Sequence, residues 1–194
     1  MKYFTQLKAA LFLASLIPFF RLSWYGYSDQ LGANPIEFIT RSLGTWTLVF
    51  LLITLSITPL RKLSGWSWLI KLRRMAGLFA FFYALLHFIT YFWLDQFFDL
   101  ASIYKDVIKR PFITVGFTAF VLLIPLAATS TNAMMKRLGG ERWQLLHKLV
   151  YLIAIFAVLH YWWLVKKDIT QPLIYASVLT ILLGYRIVVM RFNK

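Results

Sequence analysis

Three histidines are the residues of this chain whose type and placement could do chemistry. His87 and His160 fall well inside long apolar segments, and His147 falls at the mouth of one. A polar ring without a partner in hydrocarbon costs roughly 2–7 kcal/mol, so ionisable groups at such positions usually mark a site. The chain has no cysteine, which removes thiolate ligands and iron–sulfur clusters from consideration. The pattern therefore points to haem iron held by imidazoles within a membrane.

The composition indicates the membrane that would hold such a site. Of the 194 residues, 60% are hydrophobic and only 14% are charged, unlike an ordinary water-soluble domain. About 20 apolar residues span the hydrocarbon core as a helix, and six segments approach this length: 7–25, 43–60, 75–94, 112–129, 149–165 and 173–190. The sequence predicts an all-α fold, an integral membrane six-helix bundle forming a single domain over residues 1–194. Arg186 interrupts the last segment, and we expect its side chain to extend outwards.

Basic residues are divided unequally between the two ends of the predicted bundle. If both termini are cytoplasmic, six of the seven acidic residues lie outside and only Glu141 lies inside. Fourteen of the 21 Lys and Arg residues then fall inside: Lys2, Lys8, Arg61, Lys62, Lys71, Arg73, Arg74, Lys136, Arg137, Arg142, Lys148, Arg186, Arg191 and Lys194. This positive-inside bias predicts cytoplasmic termini and suits contact with anionic lipid. Because the cations are split among short connections, we expect no nucleic-acid partner.

This topology puts two of the histidines at the same depth. His87 lies twelve residues after Met75 and His160 lies eleven after Leu149, on two segments that both run outwards. At the rise of an α-helix, both are roughly 16–18 Å from the inner boundary. Two imidazoles at one level could bind a haem from opposite faces, giving a six-coordinate iron suited to electron transfer.

His147 leaves two interpretations open. It lies thirteen residues before His160, about 20 Å along the helix, so a second haem there would complete a path across the membrane. However, the segment that carries His87 has Arg73 and Arg74 where an inner partner histidine would be needed. These arginines could instead pair with haem propionates or with a flavin phosphate. The alternative is an interfacial histidine at the start of a helix.

Other functions are compatible with parts of the pattern. A single histidine in a membrane helix often makes an interhelical hydrogen bond, and the abundant aromatic residues are typical of core packing and interfacial belts. A small transporter or proton channel with a histidine relay is a competing hypothesis, and a structural anchoring subunit is a third. We expect no nucleophile and no general base, because an electron relay leaves the chemistry to its partners.

Several motifs together resemble one family. They are spread in order over nearly the whole chain, at residues 73–78, 86–87, 110–116, 128–130, 142–147, 160–162 and 171–176. In these segments the chain resembles the MsrQ family, the haem-bearing membrane subunits of bacterial periplasmic methionine sulfoxide reductase systems. That family lies within the ferric reductase-like transmembrane superfamily.

The resemblance implies a function as well as a fold. It implies a six-helix protein of the bacterial inner membrane that binds b-type haem and passes electrons outwards to MsrP, a periplasmic molybdopterin enzyme that reduces methionine sulfoxide in oxidised proteins. The electrons would come from the respiratory quinone pool or a cytoplasmic flavin reductase, and FMN is associated with the family. His87 and His160 match the family's outer haem pair, and His147 matches its inner histidine.

Overall fold

The computed structural model describes residues 3–192, with side chains up to residue 188. Lys2 and Lys194, counted above among the inner cations, lie outside the described residues, as does the side chain of Arg191. The described part is all-α and contains no strand. Its helices are α1 (Phe4–Tyr27), α2 (Pro35–Ser64), α3 (Arg73–Ile89), α4 (Leu100–Lys109), α5 (Pro111–Ala128), α6 (Asn132–Leu138), α7 (Gly140–His147), α8 (Leu149–Leu164) and α9 (Thr170–Phe192).

The six predicted membrane helices are confirmed. The helices long and apolar enough to cross a membrane are α1, α2, the unit Ser67–Asp95 around α3, α5, the unit Gly140–Leu164 formed by α7 and α8, and the described part of α9. A 3-10 segment (Ser67–Leu72) precedes α3, and a π-helical turn (Thr90–Asp95) extends it. The chain is therefore a multi-pass membrane protein.

Local signals set the ends of the helices beyond the apolar stretches. Asn34 caps α2, because its side chain accepts a hydrogen bond from the Glu37 N–H, and Pro35 occupies the first helical position. Gly65 ends α2 in the left-handed conformation, with φ of 73°. Helix α2 is thus 30 residues long, much longer than its apolar core, 43–60, suggested.

The connection between α3 and α5 and the connection between α5 and α8 both contain short helices. The segment between α3 and α5 forms α4, and Asp99 caps it by accepting hydrogen bonds from the N–H groups of Ser102 and Ala101. These donors, together with the Ser102 hydroxyl, hold the pKa of the Asp99 carboxyl below its ordinary value. The connection between α5 and α8 forms α6 and α7. Hydropathy alone does not reveal these helices, because they are short and polar or amphipathic.

Four of the membrane helices form two closely packed pairs. Helix α2 packs along α3, and α5 packs along α8, while contacts between the two pairs are fewer. The main core contains the stacked rings of Phe50, Phe79 and Tyr83. Tyr83 also ties α1 to this core, because its hydroxyl donates to the Ser15 carbonyl at 2.7 Å. The pairing leaves a seam between the two helix pairs, each of which contributes one histidine-bearing helix.

The expectation for Arg186 is wrong. Its guanidinium does not extend outwards but donates to the Leu55 carbonyl of α2 and to the Leu182 carbonyl of its own helix, and it lies over the Tyr151 ring. The cause is Pro59, which lacks the N–H that would bond the carbonyl four residues earlier, that of Leu55. Inside a membrane such a freed carbonyl needs another donor, and Arg186 supplies it.

We expect Arg186→Met to lower the free energy of unfolding by about 1–3 kcal/mol, because it leaves the Leu55 carbonyl without a donor. Thermal unfolding in detergent measures this loss. Pro59→Ala restores a backbone N–H for the same carbonyl, so the double variant should lose less stability than Arg186→Met alone. Equal losses in the presence and absence of Pro59 would contradict the assigned role.

Candidate functional site

The structure brings His87 and His160 together across the seam. His87 lies on α3 and His160 on α8, and their ring centroids are 6.2 Å apart with the ring planes at 80°. Both side chains are largely enclosed by the bundle. The sequence placed these residues at one depth on two outward-running helices, and the rings do meet at one level.

Each of these imidazoles is fixed from behind by a backbone carbonyl. His87 Nδ1 lies 2.8 Å from the Thr40 oxygen of α2, and His160 Nδ1 lies 2.6 Å from the Phe112 oxygen of α5. A carbonyl only accepts, so each Nδ1 carries the proton and donates it. Each Nε2 then keeps its lone pair, in the tautomer that a metal-ligating histidine uses.

Sequence reasoning missed Thr40 and Phe112, because every residue has a carbonyl and its use leaves no side-chain signature. One signal was available: a glycine four residues after each of them, Gly44 and Gly116.

The spacing of the two rings fits a metal between them. Two metal–imidazole bonds of about 2 Å, plus the distance from each nitrogen to its ring centre, give a centroid separation near 6 Å. The observed separation is 6.2 Å. No Asp, Glu or further His joins the pair, since no cluster of three such residues occurs in the described part of the chain. Two neutral nitrogen donors and no carboxylate suit the axial positions of a haem iron better than a bare metal ion.

Aromatic side chains fill much of the bundle around the pair. Phe88 of α3 stacks on Phe120 of α5 at 4.7 Å between centroids, and Phe81 is parallel to Phe120 at 6.3 Å. These rings join the two helix pairs across the seam. Phe79 and Tyr83, in contrast, belong to the buried core.

His147 lies apart from the other two histidines. Its ring stacks on Trp143 at 3.8 Å between centroids, and its Nδ1 lies 2.9 Å from the Trp143 carbonyl, one turn earlier in α7. Trp143 is held in turn, because its indole N–H donates to the Thr129 carbonyl. The Nε2 of His147 is buried without a hydrogen bond. A buried nitrogen without a partner is consistent with a ligand role, but the structure brings no second histidine to it.

The side chains of Arg73 and Arg74 lie at the same end of the bundle but have different neighbours. Arg74 donates to the Asn132 side chain at 2.7 Å. It also lines a cavity of about 620 Å³ between α1 and α3, together with Lys8 and Lys71. Arg73 lies within electrostatic range of Tyr151, Arg186 and Arg61. Of the two arginines, Arg74 is the one that lines this cavity.

We call this cavity the cationic cleft. Its wall is apolar and includes three phenylalanines, Phe12, Phe79 and Phe82, and its charged residues are all basic. The two ion pairs in the described part of the chain, Arg41–Glu37 and Arg110–Asp106, involve none of them. The cleft therefore has the character of a site for an amphipathic molecule with an anionic or polar head.

Comparison with known proteins places the chain in a family. Residues 40–158 match the family described as "Ferric reductase like transmembrane component". The chain is 63% identical over 185 residues to a protein of Herminiimonas arsenicoxydans, covering 94% of this chain and 85% of that protein. Proteins of Ralstonia nicotianae and Azospira oryzae are 56% and 58% identical, covering 96% and 95% of this chain and 87% and 79% of theirs. All three are named "Protein-methionine-sulfoxide reductase heme-binding subunit MsrQ". The chain belongs to the ferric reductase-like transmembrane family and, within it, to the MsrQ family.

Proposed function

We propose that this protein binds b-type haem between His87 and His160 and carries electrons across the bacterial inner membrane to a periplasmic molybdopterin methionine sulfoxide reductase of the MsrP type. The donor is the quinone pool or a cytoplasmic flavin reductase, and the process supports repair of oxidised periplasmic proteins. The observation that carries the proposal is the close approach of the two imidazoles, with ring centroids 6.2 Å apart and both Nδ1 atoms held by carbonyls. The relatives' names support the haem and the reductase system.

The chain's own groups would tune such a site without taking part in bond chemistry. His87 and His160 would hold the haem, which when bound supplies a one-electron carrier, and ligation by two imidazoles would favour electron transfer over oxygen binding. The hydrogen bonds to the Thr40 and Phe112 carbonyls keep the rings in one orientation and raise the basicity of each Nε2. The Phe112 ring lies 6.1 Å from the His160 ring between centroids and is an apolar neighbour of the pair.

The position of the pair supports electron exit at the end of the bundle opposite the termini. Phe112, whose carbonyl accepts from His160, is the second residue of α5. Thr40, whose carbonyl accepts from His87, is the sixth residue of α2. Both helices begin at that end, so the pair lies close to that surface. Helix α4, which packs against α5, forms part of the same surface. With cytoplasmic termini, this end is periplasmic and faces the proposed reductase.

The opposite end supports electron entry. Arg74 lies thirteen residues before His87, about 20 Å along the helix, so the cationic cleft opens on the donor side. Its basic residues would hold the phosphate of FMN or the polar head of a quinol, and its apolar wall would take the ring system. A second haem at His147 is the alternative carrier for this end, with the buried Nε2 as its ligand.

We expect His87→Ala and His160→Ala each to abolish the low-spin b-type spectrum, because either change removes one axial ligand. The reduced-minus-oxidised absorption spectrum of the purified protein measures this. His147→Ala is the matched control and should keep most of the signal of the outer site. Circular dichroism confirms that each variant folds. A colourless but well-folded wild-type protein, or full signal in both outer variants, would contradict the proposal and favour a transporter or anchoring role.

We expect the double variant Lys71→Gln/Arg74→Gln to slow haem reduction by a quinol or reduced flavin about tenfold, because charge-assisted hydrogen bonds to the donor's head are lost. Stopped-flow spectroscopy at the haem band measures the rate. Full reduction by dithionite shows that the haem site is intact. Lys62→Gln, at an exposed cation outside the cleft, should react like the wild type. An unchanged rate in the double variant would exclude the cleft as the entry site.

A further inference from the structure

A glycine lies against each histidine of the facing pair. Gly44 on α2 touches the His87 ring, and Gly116 on α5 touches the His160 ring. A Cβ on Gly116 would lie 2.5 Å from His160 Nδ1 and 2.8 Å from its Cε1. A Cβ on Gly44 would lie 3.1 Å from His87 Cε1 and 3.2 Å from its Nδ1. No side chain fits at position 116 with the ring where it is, and at position 44 the ring must give way.

Helix geometry explains why the glycines stand where they do. Gly44 is four residues after Thr40, and Gly116 is four residues after Phe112. In an α-helix the residue at i+4 lies on the same face as residue i, and its Cα–Cβ bond tilts towards the N-terminus of the helix. A side chain at i+4 therefore overhangs the carbonyl of residue i. Glycine at that position leaves the carbonyl open to a donor from another helix.

The same arrangement of histidine, carbonyl and glycine occurs once in each helix pair. In both pairs a histidine donates to a carbonyl of the neighbouring helix, and a glycine follows that carbonyl at i+4. Other helical glycines lack this contact. A Cβ on Gly77 would meet Thr54 at an ordinary 3.8 Å, and one on Gly184 would meet nothing within 4 Å. The close approach is therefore a property of the two positions beside the histidines.

We infer that Gly44 and Gly116 are positioning residues that set the distance and the angle between the two axial imidazoles. This inference rests on the proposed function, because it assumes that His87 and His160 ligate haem. Without Gly116, the His160 ring would move off its carbonyl and lose the hydrogen bond that fixes its tautomer, whereas without Gly44 the His87 ring would shift by a few tenths of an ångström and keep its partner. The two positions are unequal, because the space at Gly116 is tighter than at Gly44.

The test compares Gly116→Ala and Gly44→Ala with the control variants Gly77→Ala and Gly184→Ala, using protein purified with haem b. We expect Gly116→Ala to lose most of the low-spin signal and gain a high-spin, five-coordinate one. Added imidazole should restore the low-spin spectrum, because it fills the vacated axial position. Gly44→Ala should stay six-coordinate but with shifted electron paramagnetic resonance g values and midpoint potential. The two controls should match the wild type in every readout.

Failure of this inference can be told apart from failure of the proposed function. If His87→Ala and His160→Ala lose the spectrum while both glycine variants match Gly77→Ala, the histidines ligate haem and the glycine inference is overturned. If Gly116→Ala does not accumulate in the membrane, the g values and potential of Gly44→Ala decide: a shift supports the inference and no change overturns it. Low-spin signal lost equally in all four glycine variants indicates general destabilisation and also overturns it.

Discussion

Every polar group placed in the apolar interior of this bundle needs a partner, and that requirement shapes the structure. The two outer histidines meet it through Thr40 and Phe112, whose carbonyls already serve their own helices. Arg186 meets it through the Leu55 carbonyl that Pro59 sets free. In each case a side chain of one helix bonds the backbone of another. Hydrogen bonds of this kind fix side-chain direction in a bundle whose packing is otherwise supplied by interchangeable apolar residues.

The hydrogen bonds of His87 and His160 each join the two helices of one pair, and neither crosses the seam between the pairs. His87 is held by α2, the close neighbour of α3, and His160 is held by α5, the close neighbour of α8. Each pair thus presents an oriented imidazole whose Nε2 needs nothing from the other pair. The proposed ligation by both histidines would use this division of roles, because one nitrogen is used for support and the other stays available. With each ring held by its own helix pair, the centroids of the His87 and His160 rings lie 6.2 Å apart.

The sequence predicted the spans and the approach of His87 to His160 because both depend on local quantities. Hydropathy identifies a membrane helix from its own residues, and depth follows from counting along it. The supporting carbonyls could not be predicted, because they depend on which helices become neighbours. The direction of Arg186 depends on Pro59, 127 residues earlier in the chain, so counting along α9 could not reveal it. The short helices α4, α6 and α7 were not predicted, because hydropathy detects only long apolar segments. The signals available in the sequence were the capping residues Asp99 for α4 and Thr131 for α6.

The division into two helix pairs also has a consequence for biogenesis. The first pair is complete when α3 has been synthesised, whereas the second pair is complete only at the end of α8, and His160 follows His87 by 73 residues. If the two histidines hold haem as proposed, a porphyrin that reached the nascent chain early would meet one ligand only. Cofactor insertion would then follow the synthesis of both helix pairs, and the bound porphyrin would connect them.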